Sequence, residues 1–166
     1  MSDDELKLGT ITRDGKGYQG RLERHFDHSA AEVWRMLTEP QPMAQWLSAG
    51  TIEQHQGGKV RIDFIDSGTV IDSTVTAFDA GRVLEYSWSS GNEPQRPLRW
   101  TLTPTAGGTQ LVLTVGVPEG EDAAKACAGF EGHLEMLAAA LEGVPIKFPF
   151  EVYVKARAGY AGMVGD

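Results

Sequence analysis

The stretch FDHSAAEVWRMLTEPQPMAQWL, residues 26–47, predicts two short helices separated by a proline step. Ser29 and Glu32 have the spacing of a capping box, in which each side chain bonds a free amide at the start of a helix. This helix should end before Pro40, because a proline disfavours helical geometry in the residue ahead of it. Pro42 can begin the second helix, since the first turn of a helix tolerates proline.

Trp34 and Trp46 lie on either side of this proline step. A helical hairpin made only for packing would not need so much aromatic bulk. We therefore expect the hairpin to close one end of a pocket, with Trp34 in the core and Trp46 near the pocket entrance.

Most of the chain between residues 59 and 115 alternates in polarity with the period of β-strands. Glycine-containing turn signals separate the strands, and a hairpin over residues 10–26 precedes the two short helices. The apolar parity of the strands carries four large aromatic side chains, Phe64, Tyr86, Trp88 and Trp100. The pattern therefore predicts a sheet with one aromatic face.

A long amphipathic helix is predicted over residues 121–142, where apolar side chains recur at three- or four-residue intervals. His133 should lie on or beside its buried face. Gly129 and Gly132 interrupt the helix, and each costs roughly 1 kcal/mol relative to alanine. They either weaken the helix locally or let another group approach it closely.

Strands followed by one long helix indicate an α+β fold with an antiparallel sheet. The sheet must bury one face, and only the long helix is large enough to cover it. We divide the chain into a flexible N-terminus (residues 1–8), one domain (residues 9–143) and a C-terminal extension (residues 144–166).

The C-terminal extension alternates like a strand, because Phe148, Phe150, Val152 and Val154 share one parity. An exposed apolar segment is a liability, so it should dock on its own domain or on a second copy of the chain. Docking on a second copy would give a homodimer. Only residues 159–166 should be mobile.

Residues 10–143 contain a combination of short motifs, namely Val33-Trp34, Leu37-Thr38-Glu39-Pro40, Trp46-Leu47, Gly57-Gly58, Leu84-x-Tyr86-x-Trp88 and GFEGHLEMLAAALEG. In these motifs the chain resembles the START-related, birch-allergen-like superfamily (SRPBCC), and more narrowly its branch named after the activator of the heat-shock protein 90 ATPase. The chain differs from that branch at Phe130, where tryptophan is frequent, and at His28-Ser29, where many relatives have a proline.

The resemblance implies a helix-grip fold, in which a curved antiparallel sheet wraps around a long C-terminal helix and two short helices close one end. It also implies a pocket between the sheet and that helix. From shared strand parity and a shared helix face, we predict the pocket lining to be Trp46, Phe64, Tyr86, Trp88, Trp100, Phe130, His133, Leu134 and Leu137.

A concave, mostly apolar site suits the binding of a small apolar or amphipathic ligand better than hydrolysis. We expect no catalytic residue, metal or cofactor. One alternative is an interaction protein of the stress response that regulates a chaperone ATPase, which the resemblance suggests. A third is a cyclase- or isomerase-like enzyme, for which His133 is the only plausible general base.

Charge and cysteine content narrow these choices. The formal net charge of -8 argues against binding to nucleic acid or to an anionic membrane. The single cysteine, Cys127, excludes an intramolecular disulfide, is expected to be a buried structural thiol, and favours a reducing compartment. The N-terminus does not have the pattern of a signal peptide, so we expect a cytoplasmic protein. His25 and His28 point to opposite faces of a strand, which makes joint metal ligation unfavourable.

Overall fold

The computed structural model describes residues 7–64 and 67–164, which form one antiparallel sheet and four helices. The sheet has the strand order β1-β2-β8-β7-β6-β5-β4-β3. This arrangement confirms the predicted α+β class and is consistent with a helix-grip fold. In chain order the elements are β1 Thr10–Asp14, β2 Gly17–Phe26, α1 Ala30–Thr38, α2 Pro40–Ala44, β3 Ala49–Ile52, β4 Lys59–Phe64, β5 Thr69–Asp79, β6 Val83–Ser87, β7 Pro97–Thr105, β8 Gly108–Val117, α3 Ala123–Leu141 and α4 Phe150–Ala161.

The helical hairpin forms as the capping signals predict. The Ser29 hydroxyl accepts a hydrogen bond from the Glu32 amide at 3.2 Å, and the Glu32 carboxylate accepts one from the Ser29 amide at 3.3 Å. Helix α2 begins at Pro40, two residues earlier than predicted. Both Pro40 and Pro42 then lie in its first turn, where amide hydrogens have no helical partner and proline costs little.

The apolar strand parity faces α3, as predicted. Buried strand residues on this face include Val60, Ile62, Leu84, Tyr86, Leu98, Trp100, Leu102, Leu111, Leu113 and Val115. Helix α3 covers them with a buried face that contains Cys127. The Cys127 thiol packs directly against Gly20 of β2, where any larger residue would collide with the sulfur. Burial raises the pKa of Cys127 to about 12, so the thiol is neutral and inert.

Most of the C-terminal extension forms helix α4, Phe150–Ala161, so its predicted strand is wrong. Helix α4 packs against α3, with Ala156 and Tyr160 fully buried. These two residues are four apart and share one helical face. Good helix formers in KARA, residues 155–158, outweigh the short alternation that precedes them. Docking on its own domain, one of the two predicted alternatives, is what the structure shows.

Residues near both chain termini pack against the core where the structure describes them. Tyr160 lies within the segment expected to be mobile, yet it is fully buried. Leu8, expected to be flexible, packs against the core and contacts Gly159 of α4. Residues 1–6 and 165–166 lie outside the described residues. None of the described helices has the length and apolar character needed to cross a bilayer.

Candidate ligand-binding site

Four of the predicted site residues meet at one end of the contact between α3 and the sheet. Phe64 ends β4, Trp88 follows β6, and Phe130 and His133 belong to α3. The ring centroids are 5.8 Å apart for Phe64 and Trp88 and 5.2 Å for Trp88 and Phe130. His133 lies 6.2 Å from Phe64 and 6.4 Å from Phe130. We call these four residues the aromatic cluster.

The other five predicted site residues belong to the closed core, namely Trp46, Tyr86, Trp100, Leu134 and Leu137. The Trp46 side chain is only 1% exposed, and its indole nitrogen donates to the Met36 carbonyl at 2.6 Å. Placing Trp46 at an entrance is therefore wrong. Trp34 is 9% exposed and donates to the Gln54 side chain at 3.1 Å, so it lies nearer the surface than Trp46.

Aromatic rings contact one another in the space between α3 and the sheet. Three cavities open elsewhere on the described residues. One, of about 790 Å³, opens where residues 7–10 and β2 meet α3 and α4. A second lies beside the outer ends of β2, β7 and β8, and a third beside α1 and α2. The predicted pocket between the sheet and α3 stays a prediction.

His133 contributes a polar atom to the cluster. Its Nδ1 lies 3.0 Å from the Trp46 carbonyl oxygen, and a carbonyl only accepts hydrogen bonds, so Nδ1 carries the hydrogen. Desolvation by burial lowers the pKa of His133, with the bond to Trp46 opposing it. The ring is therefore neutral near pH 7, and its Nε2 presents a free lone pair.

The His133 Nε2 atom is not completely buried. It has no hydrogen-bond partner among the described residues, yet none of their side-chain nitrogen or oxygen atoms is both buried and unpaired. The same reasoning applies to the indole nitrogen of Trp88, whereas the Trp34, Trp46 and Trp100 indoles all have partners. The cluster thus offers an accessible acceptor and an accessible donor within an apolar surface.

Phe148 is a site residue that the sequence analysis did not include. Its ring centroid lies 5.3 Å from that of His133 and 6.0 Å from that of Tyr153 in α4. The ring rests on Gly132, where an added Cβ would lie 2.5 Å from Phe148 Cε1. The glycine inside the long helix was the available signal, and of its two predicted meanings the close approach is the correct one. Gly129, by contrast, has nothing within 4 Å of an added Cβ.

Arg96 holds the loop that carries Trp88. Its guanidinium forms two bonds to the Glu121 carboxylate, at 2.7 and 2.8 Å, just before α3 begins. The same group donates to the Trp88 carbonyl and to the Ser89 hydroxyl, both at 3.2 Å. The bond to Glu121 is the main reason that the pKa of Arg96 is raised. The sequence carries no local signal for this contact, because Arg96 and Glu121 are 25 positions apart.

A buried polar contact joins α3 to α4 and β2. The Glu131 side chain is 1% exposed and accepts hydrogen bonds from Arg24 and from the Tyr160 hydroxyl. Burial, and then the bond to Glu131, raise the pKa of Tyr160, so its phenol stays protonated and donates. Glu131 is occupied by these partners and is not part of the aromatic cluster.

His25 and His28 each contact another side chain. His25 contacts Thr105 at 2.9 Å, and His28 contacts Glu142 at 2.6 Å. In the part of the chain that the structure describes, no group of three or more His, Cys, Asp and Glu side chains could hold a metal ion.

The curved sheet, the long covering helix and the aromatic cluster between them define a helix-grip protein. Residues 27–142 match the family described as activator of Hsp90 ATPase homolog 1-like protein. This match spans more than half of the chain, which therefore belongs to that family. No curated protein matches the sequence significantly.

Several solved structures share the fold. CalU16 from Micromonospora echinospora superposes with a TM-score of 0.79 at 16% identity, covering 97% of this chain and 98% of its own. EF2215 from Enterococcus faecalis, a conserved protein of unknown function, gives 0.75 at 20% identity, covering 95% and 92%. DynU16, described as a protein in the dynemicin biosynthetic locus, gives 0.69 at 30% identity, covering 76% of this chain and 48% of its own.

Proposed function

We propose that this protein binds a small amphipathic ligand, an apolar ring that carries a hydroxyl group, at the aromatic cluster. The observation that carries the proposal is the unpaired Nε2 of His133, a hydrogen-bond acceptor set among aromatic rings. A ligand hydroxyl can donate to this atom while the ring of the ligand contacts the rings of the cluster.

The polar atoms favour hydroxylated ligands over plain hydrocarbons. Covering Nε2 with an apolar group would leave a desolvated acceptor unpaired, which costs about 1–3 kcal/mol. A ligand hydroxyl removes that cost, because it donates to Nε2. Sites that contain a few polar groups in an apolar lining select ligands in this way.

The comparisons are compatible with a small-molecule role. DynU16 is described by its place in a biosynthetic locus, and such loci handle small organic molecules. A cyclase- or isomerase-like activity would use the same Nε2 as a general base, and it stays a prediction.

Binding of p-cresol and of toluene tests the proposal, because the two differ only by the hydroxyl group. The Trp88 indole N–H signal in a nuclear magnetic resonance titration reports occupation of the cluster. We expect p-cresol to bind about three- to tenfold more tightly than toluene, the range for one net hydrogen bond. His133→Phe should abolish this preference. Equal preference in both proteins, or no binding of either compound to either protein, would refute the proposal.

A protein partner is the second candidate, favoured by a different observation. The large apolar side chains that are exposed in the described residues all lie in the C-terminal extension, at Val144, Ile146, Phe148, Phe150, Val154 and Met163. The grouping of these side chains in one segment suggests a protein interaction site. A chaperone of the Hsp90 class is the partner that the family description suggests. Its ATPase rate should change when the protein is added and should change less with Phe150→Ser.

A further inference from the structure

We infer that Phe148 occupies the position of the ligand ring at the aromatic cluster and withdraws when a ligand binds. The inference rests on the proposed function, and it assigns a role to a residue outside the predicted site. It also narrows the ligand to a single-ring phenol.

The contact with Gly132 shows how closely Phe148 fits this position. An added Cβ on Gly132 would lie 2.5 Å from Cε1 and 2.7 Å from Cζ of Phe148, so the phenyl ring lies directly on the backbone of α3. The ring also flanks His133 at a centroid distance of 5.3 Å. A ring that took its place would therefore have the same helix backbone beneath it and His133 beside it.

The backbone of the segment that carries Phe148 makes few hydrogen bonds to the rest of the protein, which allows it to move. It leaves α3 at Gly143, which has a φ of 80°, and its last bond to that helix runs from the Val144 amide to the Ala139 carbonyl at 3.0 Å. The amides of residues 146–148 donate to no backbone carbonyl among the described residues. Phe148 is 37% exposed, so it loses less buried apolar area on withdrawal than a fully buried phenylalanine would.

Helix α4 is anchored separately, so the segment can move without it. Tyr160 donates to the buried Glu131, and Arg157 donates to Asp122 at the start of α3 at 3.1 Å. Neither contact involves residues 144–149. Withdrawal of Phe148 therefore requires rotation within a short unbonded segment rather than detachment of the helix.

The space that Phe148 vacates sets the size of the ligand ring. One phenyl group fills it, next to an acceptor that the phenyl group itself cannot satisfy. A phenol supplies the same ring together with the missing hydrogen-bond donor. Fused ring systems would need further rearrangement of the packed cluster.

Three variants separate this inference from the alternatives, with p-cresol as the probe and the imidazole signal of His133, the ring beside Phe148, as the readout. Phe148→Ala removes the competing ring and should tighten binding about tenfold, the factor expected if nine molecules in ten are closed. Gly132→Ala places a methyl group where the ligand ring must lie and should weaken binding at least about fivefold. Gly129→Ala, the matched glycine with open space around it, should bind like the wild type. The unfolding temperature of each variant verifies its folding.

Each result has one meaning. Equal or weaker binding by Phe148→Ala would overturn the inference while leaving the proposed function intact. If Phe148→Ala binds p-cresol more tightly and the affinity of Gly132→Ala equals that of the wild type, the inference is also overturned. Phe148 would then control a site elsewhere. Failure of all the proteins to bind p-cresol would refute the proposed function and the inference with it. If 2-naphthol binds Phe148→Ala as tightly as p-cresol does, the restriction to a single ring is wrong.

Discussion

Replacing Tyr160 with phenylalanine removes one hydroxyl group from the contact between α4 and α3. This hydroxyl donates to the buried Glu131 carboxylate and accepts from the Gly9 amide at 2.9 Å. Tyr160 is fully buried, so water cannot replace the lost group without rearrangement. Glu131 would keep Arg24 as its partner, which limits the loss to one side of the carboxylate.

The expected loss in free energy of unfolding follows from these two bonds. A hydrogen bond to a charged group contributes about 1.5–3 kcal/mol. The Gly9 amide is only partly buried, so losing its acceptor adds less than the cost of a fully buried unpaired group. We expect Tyr160→Phe to lower the free energy of unfolding by about 2–3 kcal/mol.

Urea denaturation measures this quantity, and Tyr153→Phe is the control in the same helix. The Tyr153 hydroxyl meets Arg157 at 3.4 Å on the exposed side of α4, so its removal should cost less than about 0.5 kcal/mol. If the two variants unfold within 0.5 kcal/mol of each other, about the scatter expected for surface changes, Arg24 alone holds Glu131 and the reasoning about α4 is wrong.

Other predictions concern stability, pH and assembly. Trp46→Ala should lower the free energy of unfolding by about 3–5 kcal/mol, which is more than the loss expected for Trp34→Ala. Equal losses for the two variants in urea denaturation would contradict the relative burial of the two rings. The hydrogen bond to Glu142 raises the pKa of His28. The stabilisation of the fold by this bond is therefore complete below about pH 6.5 and disappears as the pH rises through the raised pKa. His28→Gln should flatten the pH dependence of the unfolding temperature over that range. If the chain forms a homodimer through its extension, Phe150→Ser should sediment as a monomer, and a monomeric wild type would end the dimer prediction.

The sheet and the two predicted ends of α1 were accessible from the sequence because local patterns encode them. Alternation places Leu84 and Tyr86 on one face whatever the rest of the chain does. The capping box at Ser29 likewise depends on residues only three positions apart. Both kinds of signal act over a few residues, and both were correct.

The aromatic cluster was predicted in part, since its members share the parity or helix face that the pattern shows. The sequence did not allow us to predict which of Trp34 and Trp46 is more deeply buried. Trp46 is buried because its indole finds the Met36 carbonyl, whereas Trp34 bonds Gln54 in a loop beyond β3. No local pattern shows which tryptophan obtains which partner.

The extension was misread because two signals compete within it. Alternation over Phe148 to Val154 resembles a strand, whereas Ala156 and Tyr160 share a helical face. The choice between them depends on Glu131, which offers Tyr160 a buried partner on a distant part of the chain. Tertiary contacts of this kind override local propensity.

The contact between Cys127 and Gly20 gives this chain an internal reporter of its own motion. A thiol reagent can reach the sulfur only in molecules in which α3 has separated from β2, because the thiol is fully buried between them. Under native conditions the labelling rate therefore measures how often the helix and the sheet open, in the same way as amide hydrogen exchange. With one cysteine in the chain, every labelling event reports that single opening.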